Sequence, residues 1–208
     1  MNGHKVNSVA DLHNDATTLL NTHVLGSSDV SADGIIRTLV DSINVLKQHW
    51  EGADAGVQIN DVVTVTNGMI ALRNALGSLA VAASEVACNY RDIQRSNGAK
   101  QLPELQKLRV NDSTKLQPYT DNRDKVYIDG TALTGKQKIQ TANANIVNFI
   151  SNVTSKKNDI LNNWTQGTGR DQADQAFNDF ISKYNSTYKP MLETVLEHID
   201  IAIKNYGM

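Results

Sequence analysis

The sequence predicts an all-α fold made of two long helical hairpins, joined by a segment that is irregular or carries a small β element. Three observations predict it. Apolar residues recur at alternating steps of three and four over long stretches, the period that keeps them on one helix face. Only 13 Gly and 3 Pro occur in 208 residues, few for an all-β protein with many tight turns. Twice, a stripe ends at a tryptophan, a glycine-containing turn follows, and a new stripe begins.

The longest stripe is Val62, Val65, Met69, Leu72, Leu76, Leu79, Ala83, Val86, Tyr90 and Ile93. It predicts a helix from about Gln58 to Arg95, roughly 55 Å long at 1.5 Å per residue. A 3.5-residue repeat holds one seam against a partner helix. The glycines at 68 and 77, and the small residues from Gly77 to Ser84, predict close approach of a neighbouring helix. Before it, Ile36, Leu39, Ile43, Leu46 and Trp50 form a second stripe. Gly52 suits the left-handed position after a helix, and Asp54 is a candidate N-cap for the next.

The C-terminal half repeats the pattern. Ile139, Ala142, Ile146, Phe149, Val153, Ile160 and Trp164 mark one helix, with Thr134 and Gln137 spaced as a capping box. After Trp164 to Asp171, where Thr168 and Asp171 have the same spacing, the stripe continues as Ala173, Phe177, Phe180, Tyr184, Met191, Val195 and Ala202, with Ile199 and Ile203 beside it. Pro190 predicts a kink near Tyr188 to Met191, because it lacks an N–H and crowds the preceding turn. The two halves are internal repeats of pattern rather than of identity.

Three regions follow: 1–96, a first hairpin with an N-terminal extension; 97–133, a connection; and 134–208, a second hairpin. The extension carries its own stripe, Val9, Leu12, Ala16, Leu19, Leu20 and Val24, broken by Gly26 to Asp29. In the connection, Leu102, Leu105 and Leu108 predict a short helical turn. Lys125 to Leu133 predict a β-hairpin around Asp129-Gly130.

Composition excludes several functions. With 20 Lys+Arg against 22 Asp+Glu, the chain lacks the basic excess that nucleic-acid binding by counterion release requires. One cysteine, Cys88, excludes an internal disulfide and a multi-cysteine zinc site. No apolar signal-peptide region opens the sequence. The apolar window Ala75 to Cys88 is too short and too polar to span a bilayer.

Helix, Trp-x-Gly turn and helix, without a signal peptide, resembles the WXG family of small Esx-type proteins. Trp50-Glu51-Gly52 carries the motif intact; Trp164-Thr165-Gln166-Gly167 carries it with one inserted residue. The resemblance implies antiparallel pairing of hairpins into an elongated four-helix bundle, formed here within one chain as a monomeric pseudo-dimer, with a homodimer as the alternative. A covalent link replaces association entropy with an effective concentration that reaches about millimolar. It further implies a non-enzymatic substrate, secreted factor or partner protein of a type VII (Esx) secretion system. The chain would be secreted without a Sec signal or sit in the cytoplasm before export. Trp50, Gly52, Trp164 and Gly167 would contact a partner or the export machinery: another WXG-like or helical secreted protein, or the secretion ATPase. Many family members carry Tyr-x-x-x-Asp/Glu after the second helix. Here Gln94 stands four places after Tyr90, which implies carriage by a partner or a divergent signal. The alternatives are a cytoplasmic chaperone or targeting adaptor for a helical secreted partner, and a secreted membrane-active bundle. Membrane contact ranks last and nucleic acid is not expected.

No catalytic residue, metal ligand set or cofactor motif is expected. Asp11, His13 and Asp15 alternate as strand ligands would, but diverge on the predicted helix. His49 reads as a polar helix-end residue and His198 as a boundary histidine. Cys88 reads as a small buried filler. Gly167-Thr168-Gly169 at a helix start reads as a turn before an anion site. Asp121 to Asp124 lack calcium-loop spacing. Trp50 and Trp164 read first as large apolar anchors at the hairpin tips.

Overall fold

The computed structural model describes residues 5–99, 102–121, 123 and 126–206, and the backbone but not the side chain of Thr168. The chain is mostly helical. Helix α1 (Val9–Thr18) runs into a π-helical segment, Leu19–Val24. Helix α2 (Ala32–His49) leads to strand β1 (Trp50–Glu51) and the long helix α3 (Ala53–Ser96). Strand β2 (Tyr127–Ile128) precedes α4 (Ala132–Asn163). Helix α5 (Thr168–Lys183), a π-helical segment Tyr184–Tyr188 and α6 (Lys189–Tyr206) are continuous.

The stripes explain the packing. In α3 the first eight stripe residues are buried, and Tyr90 and Ile93 are partly so. All seven residues of the stripe ending at Trp164 are buried. Helix α3 packs on α1, α2, α5 and α6, and α4 packs on α1, α2 and α6. The 44 residues of α3 span about 66 Å, long enough for α1 and α2 to lie on it in succession. Asp33 at the start of α2 meets Arg73 at mid-α3 (3.0 Å), whereas Asp15 of α1 meets Lys156 near the end of α4 (2.9 Å). By length and composition α3 would qualify as a membrane span, yet most of its apolar window is buried within the protein.

Several expectations are corrected. Helix α3 starts at Ala53, with Gly52 at its N-cap place and Asp54 inside the first turn. Helix α4 starts at Ala132 from Thr131, which makes no side-chain cap, so Thr134 and Gln137 lie within the helix. Gly167 takes the N-cap place of α5, so Thr168 and Asp171 sit one step inside it. Before Pro190 the chain forms a π-helical segment, which inserts one residue into the periodicity. From its last residue the buried stripe runs Tyr188, Leu192, Val195, Ile199 and Ala202, and Met191 is only partly buried. Gly68 does admit a close neighbour: a Cβ there would lie 2.6 Å from the Tyr188 ring. Over Gly77, however, sits Val110 of the connection, not a helix.

The connection is neither helical at Leu102, Leu105 and Leu108 nor a local β-hairpin around Asp129-Gly130, and Lys125 lies outside the described residues. Tyr127–Ile128 pair antiparallel with Trp50–Glu51, and the Asp129 carboxylate accepts the Thr131 N–H (2.7 Å), turning the chain into α4. Residues 102–121 form a strap without helix or strand that returns along α3. Three asparagines of α3, seven residues apart, hold it. Asn60 brackets the backbone of Tyr119, its Nδ2 donating to the Tyr119 carbonyl (2.8 Å) and its Oδ1 accepting the Tyr119 N–H (2.7 Å). Asn67 does the same with Leu116 (3.0 and 2.7 Å), and Asn74 with Ser113 (3.0 and 2.9 Å). Seven helical residues rise about 10.5 Å, and three extended residues about 9–10 Å. A heptad on the helix thus matches a triplet on the strap.

Candidate functional site

The two tryptophan turns are built alike. At the first, α2 ends at His49 and Trp50 leaves the helix with extended backbone, its N–H still donating to Leu46. Gly52 follows at φ 114° and ψ 173°, a region open essentially to glycine alone. At the second, Trp164 has extended backbone and its N–H donates to Ile160; Gly167 has φ 154°. A Cβ on Gly167 would lie 2.6 Å from the Trp164 ring, so the indole lies flush on that glycine. Both indoles are buried, Trp50 to 1% and Trp164 to 2% exposure.

Each turn is closed by the segment that precedes the first helix of the other half of the chain. Ile128, just before α4, pairs with Trp50, and the Asp129 N–H donates to the His49 carbonyl (3.2 Å). Val6, just before α1, bridges to Trp164, and the Asn7 N–H donates to the Asn163 carbonyl (2.9 Å). Residue by residue the relation is reciprocal. The predicted site residues are therefore brought together in pairs, Trp50 with Gly52 and Trp164 with Gly167, at separate turns. Neither indole is an open contact surface.

The surroundings of the two turns differ. At Trp50, Asp121 is the centre of a charge cluster. Its Oδ2 accepts the Gly52 N–H (2.9 Å), and Arg123 grips both carboxylate oxygens (2.8 and 2.9 Å) while reaching Glu51 (2.6 Å) and the Tyr119 hydroxyl (2.8 Å). Asn122 and Asp124 lie outside the described residues. Arg123 first, then the Gly52 N–H, hold the Asp121 carboxyl down at about 2. Asp129, bonded to His49 (2.9 Å), to the Tyr127 hydroxyl (3.0 Å) and to Thr131, is likewise held at about 2, the His49 bond counting most. His198 bonds Asp54 (3.1 Å). Beside these charges a cleft of about 240 Å³ opens, with Trp50 and Gly52 in its wall. Val126, Ile201 and Tyr206 on its lip are more than half exposed. At Trp164 the neighbouring hollow is polar, lined by asparagines and aspartates such as Asn7, Asp11, Asp159 and Asn162.

The other singled-out residues fall apart from one another. His13 bonds the Gln106 carbonyl (2.7 Å), and Asp15 bonds Lys156. Among the described residues no group of three or more His, Cys, Asp or Glu is placed to hold a metal ion. Cys88 is buried, and burial raises its thiol pKa. The residues that sequence reading missed are Asn60, Asn67 and Asn74. Their signal was their heptad spacing on a polar face of a helix otherwise read only for its apolar seam.

No family model, curated protein or solved structure matches the chain.

Proposed function

We propose that the chain is a non-enzymatic, tandem WXG-like protein in which two Trp-Gly hairpins clasp each other as an elongated intramolecular four-helix bundle, and that it serves a type VII (Esx) secretion system as a substrate or partner protein. The observation that carries this reading is the reciprocal closure of the two turns. Two chains forming a symmetric dimer exchange equivalent contacts across an isologous interface; here Val6 with Trp164 and Ile128 with Trp50 are such equivalent contacts within one polypeptide. Burial of both indoles supports an anchoring role for them, and under this reading a partner would meet the cleft lip beside Trp50.

The test is export from the native host. The chain is expected in the culture medium, and its loss from the medium on deletion of the secretion ATPase supports the reading. Export that persists in the deletion strain overturns it. One observation favours a second reading, an adaptor for a helical secreted protein: the exposed Val126, Ile201 and Tyr206 gather on one cleft. Under that reading the chain stays inside the cell and co-purifies with the exported helical protein.

A further inference from the structure

We propose that the fold singles out Asn97, over Asn67, as a site of self-modification: the backbone nitrogen of Gly98 attacks the Asn97 side-chain amide, and the products are aspartate and isoaspartate. This stands apart from the secretion reading.

The sequence holds three Asn-Gly pairs, Asn2-Gly3, Asn67-Gly68 and Asn97-Gly98. The first lies outside the described residues. Asparagine before glycine closes such a ring readily, because glycine has no Cβ to obstruct the approach and turns freely. The Gly98 nitrogen bonds to Asn97 Cγ and gives up its proton, and the side-chain nitrogen leaves as ammonia. Water then opens the five-membered imide at either carbonyl. One opening leaves aspartate; the other leaves isoaspartate, whose main chain runs through the side-chain carbon. Water is the only co-reactant, and nothing is oxidised or reduced.

The structure treats the two described pairs differently. Asn67 lies inside α3, with both side-chain polar atoms bonded to Leu116 (3.0 and 2.7 Å). A Cβ on Gly68 would lie 2.6 Å from the Tyr188 ring. Ring closure there requires helix and strap to open together. Asn97 sits just past the end of α3, at φ −86° and ψ 12°. Every residue from Gln94 to Ala99 is exposed. Gly98 has φ 105°, and among the described residues nothing lies within 4 Å of a Cβ built on it. What must open is the helix cap alone, and helix ends open at the least cost.

That cap is a pair of bonds around a left-handed glycine. The Gly98 N–H donates to the Arg95 carbonyl (3.1 Å) and the Ala99 N–H to the Gln94 carbonyl (3.0 Å). The imide nitrogen carries no hydrogen, so the first bond is lost when the ring forms. Isoaspartate then adds a main-chain carbon between residue 97 and Gly98, which takes the Ala99 N–H out of register. Its carboxylate also stands at the negative end of the helix dipole. Conversion thus undoes the cap.

The test incubates the folded full chain at mildly alkaline pH, beside the same chain in urea, and maps both by tryptic mass spectrometry. Trypsin isolates Asn97 in residues 96–100 and Asn67 in residues 48–73. In the folded chain Asn97 is expected to exchange NH2 for OH at least about tenfold faster than Asn67, which must first lose its hydrogen bonds. In urea the two rates are expected to converge. Asn97 reacting no faster than Asn67 in the folded chain, or keeping the same lead in urea, overturns the proposal. The isoaspartate form, isolated by chromatography, is expected to exchange its Ala99 amide hydrogen about threefold faster or more, the effect of losing one hydrogen bond. Exchange as slow as in fresh protein overturns the loss of the cap.

Discussion

Val6 lies in an antiparallel bridge with Trp164, the counterpart of the pairing between Ile128 and Trp50 at the opposite turn. The bridge ties the segment before α1 to the turn at Trp164. Asn7→Pro removes the Asn7 N–H bond to Asn163 and the side-chain bond to Asn162. The expected loss is about 1–3 kcal/mol, a fall in Tm of about 2–4 °C per kcal/mol for a chain of this size. In a Trp50→Phe background the remaining indole emission is expected to shift to the red as the Trp164 turn loosens.

Gly52→Ala and Gly167→Ala each place a Cβ on backbone that side chains avoid. The cost is about 1–3 kcal/mol apiece, read by thermal or urea denaturation. Gly167→Ala also drives its methyl into the Trp164 indole, so it alone is expected to alter indole fluorescence in the folded state.

Asn67→Leu leaves the Leu116 N–H and carbonyl without their partner. A loss of about 1–3 kcal/mol follows from stranding such groups. Hydrogen exchange at the Leu116 amide is expected to accelerate more than exchange in the apolar seam of α3, and proteolytic cutting to concentrate in residues 102–121.

Gly68→Ala meets the ring of Tyr188. Overpacking of this kind costs about 1–3 kcal/mol. Tyr188→Leu in the same chain shortens the opposing side chain, so the double variant is expected to be more stable than the sum of the single losses predicts, a coupling read from a double-mutant cycle.

Acid is expected to weaken the fold in two stages. Burial first, and Lys156 second, lower the pKa of His23 from 6.5. The unfolded chain therefore takes up that proton before the folded one, and stability falls as pH drops below about 6.5. Asp121 and Asp129, held at about 2 against 3.8, stabilise the fold above about pH 4 and lose that contribution as pH falls toward 2. His23→Gln is expected to remove the first stage, and Asp121→Asn to flatten the second, in denaturation curves recorded from pH 8 to 2.

Much of the helical body was legible because burial of a helix face writes itself into residue spacing. The stripes through Met69, Leu39, Phe149 and Phe177 name the core, and the Trp-Gly pairs name the turns. The register after Tyr184 was not legible, because a π-helical segment adds a residue that the step pattern leaves unmarked; Pro190 indicated the place but not the outcome. Nor was the path of the strap, since its bonds join strap backbone to asparagine side chains. The pairing of Tyr127–Ile128 was misread as local because Asp129-Gly130 resembles a hairpin turn, while the true partner lies at Trp50. The cleft beside Trp50 depends on α6 reaching the far turn, which periodicity alone does not convey.

Central to the proposed function is that the two hairpins of one chain hold each other. Leu46 of α2 lies directly against Gly135 of α4, its Cδ2 2.9 Å from where a Cβ on that glycine would be. The direct measurement is the nuclear Overhauser effect between the Leu46 methyls and the Gly135 α-protons, with an isotope-filtered experiment on a mixture of labelled and unlabelled protein. A strong effect within the chain and none between chains is expected. Absence of the effect, or its appearance only between chains, would contradict the account.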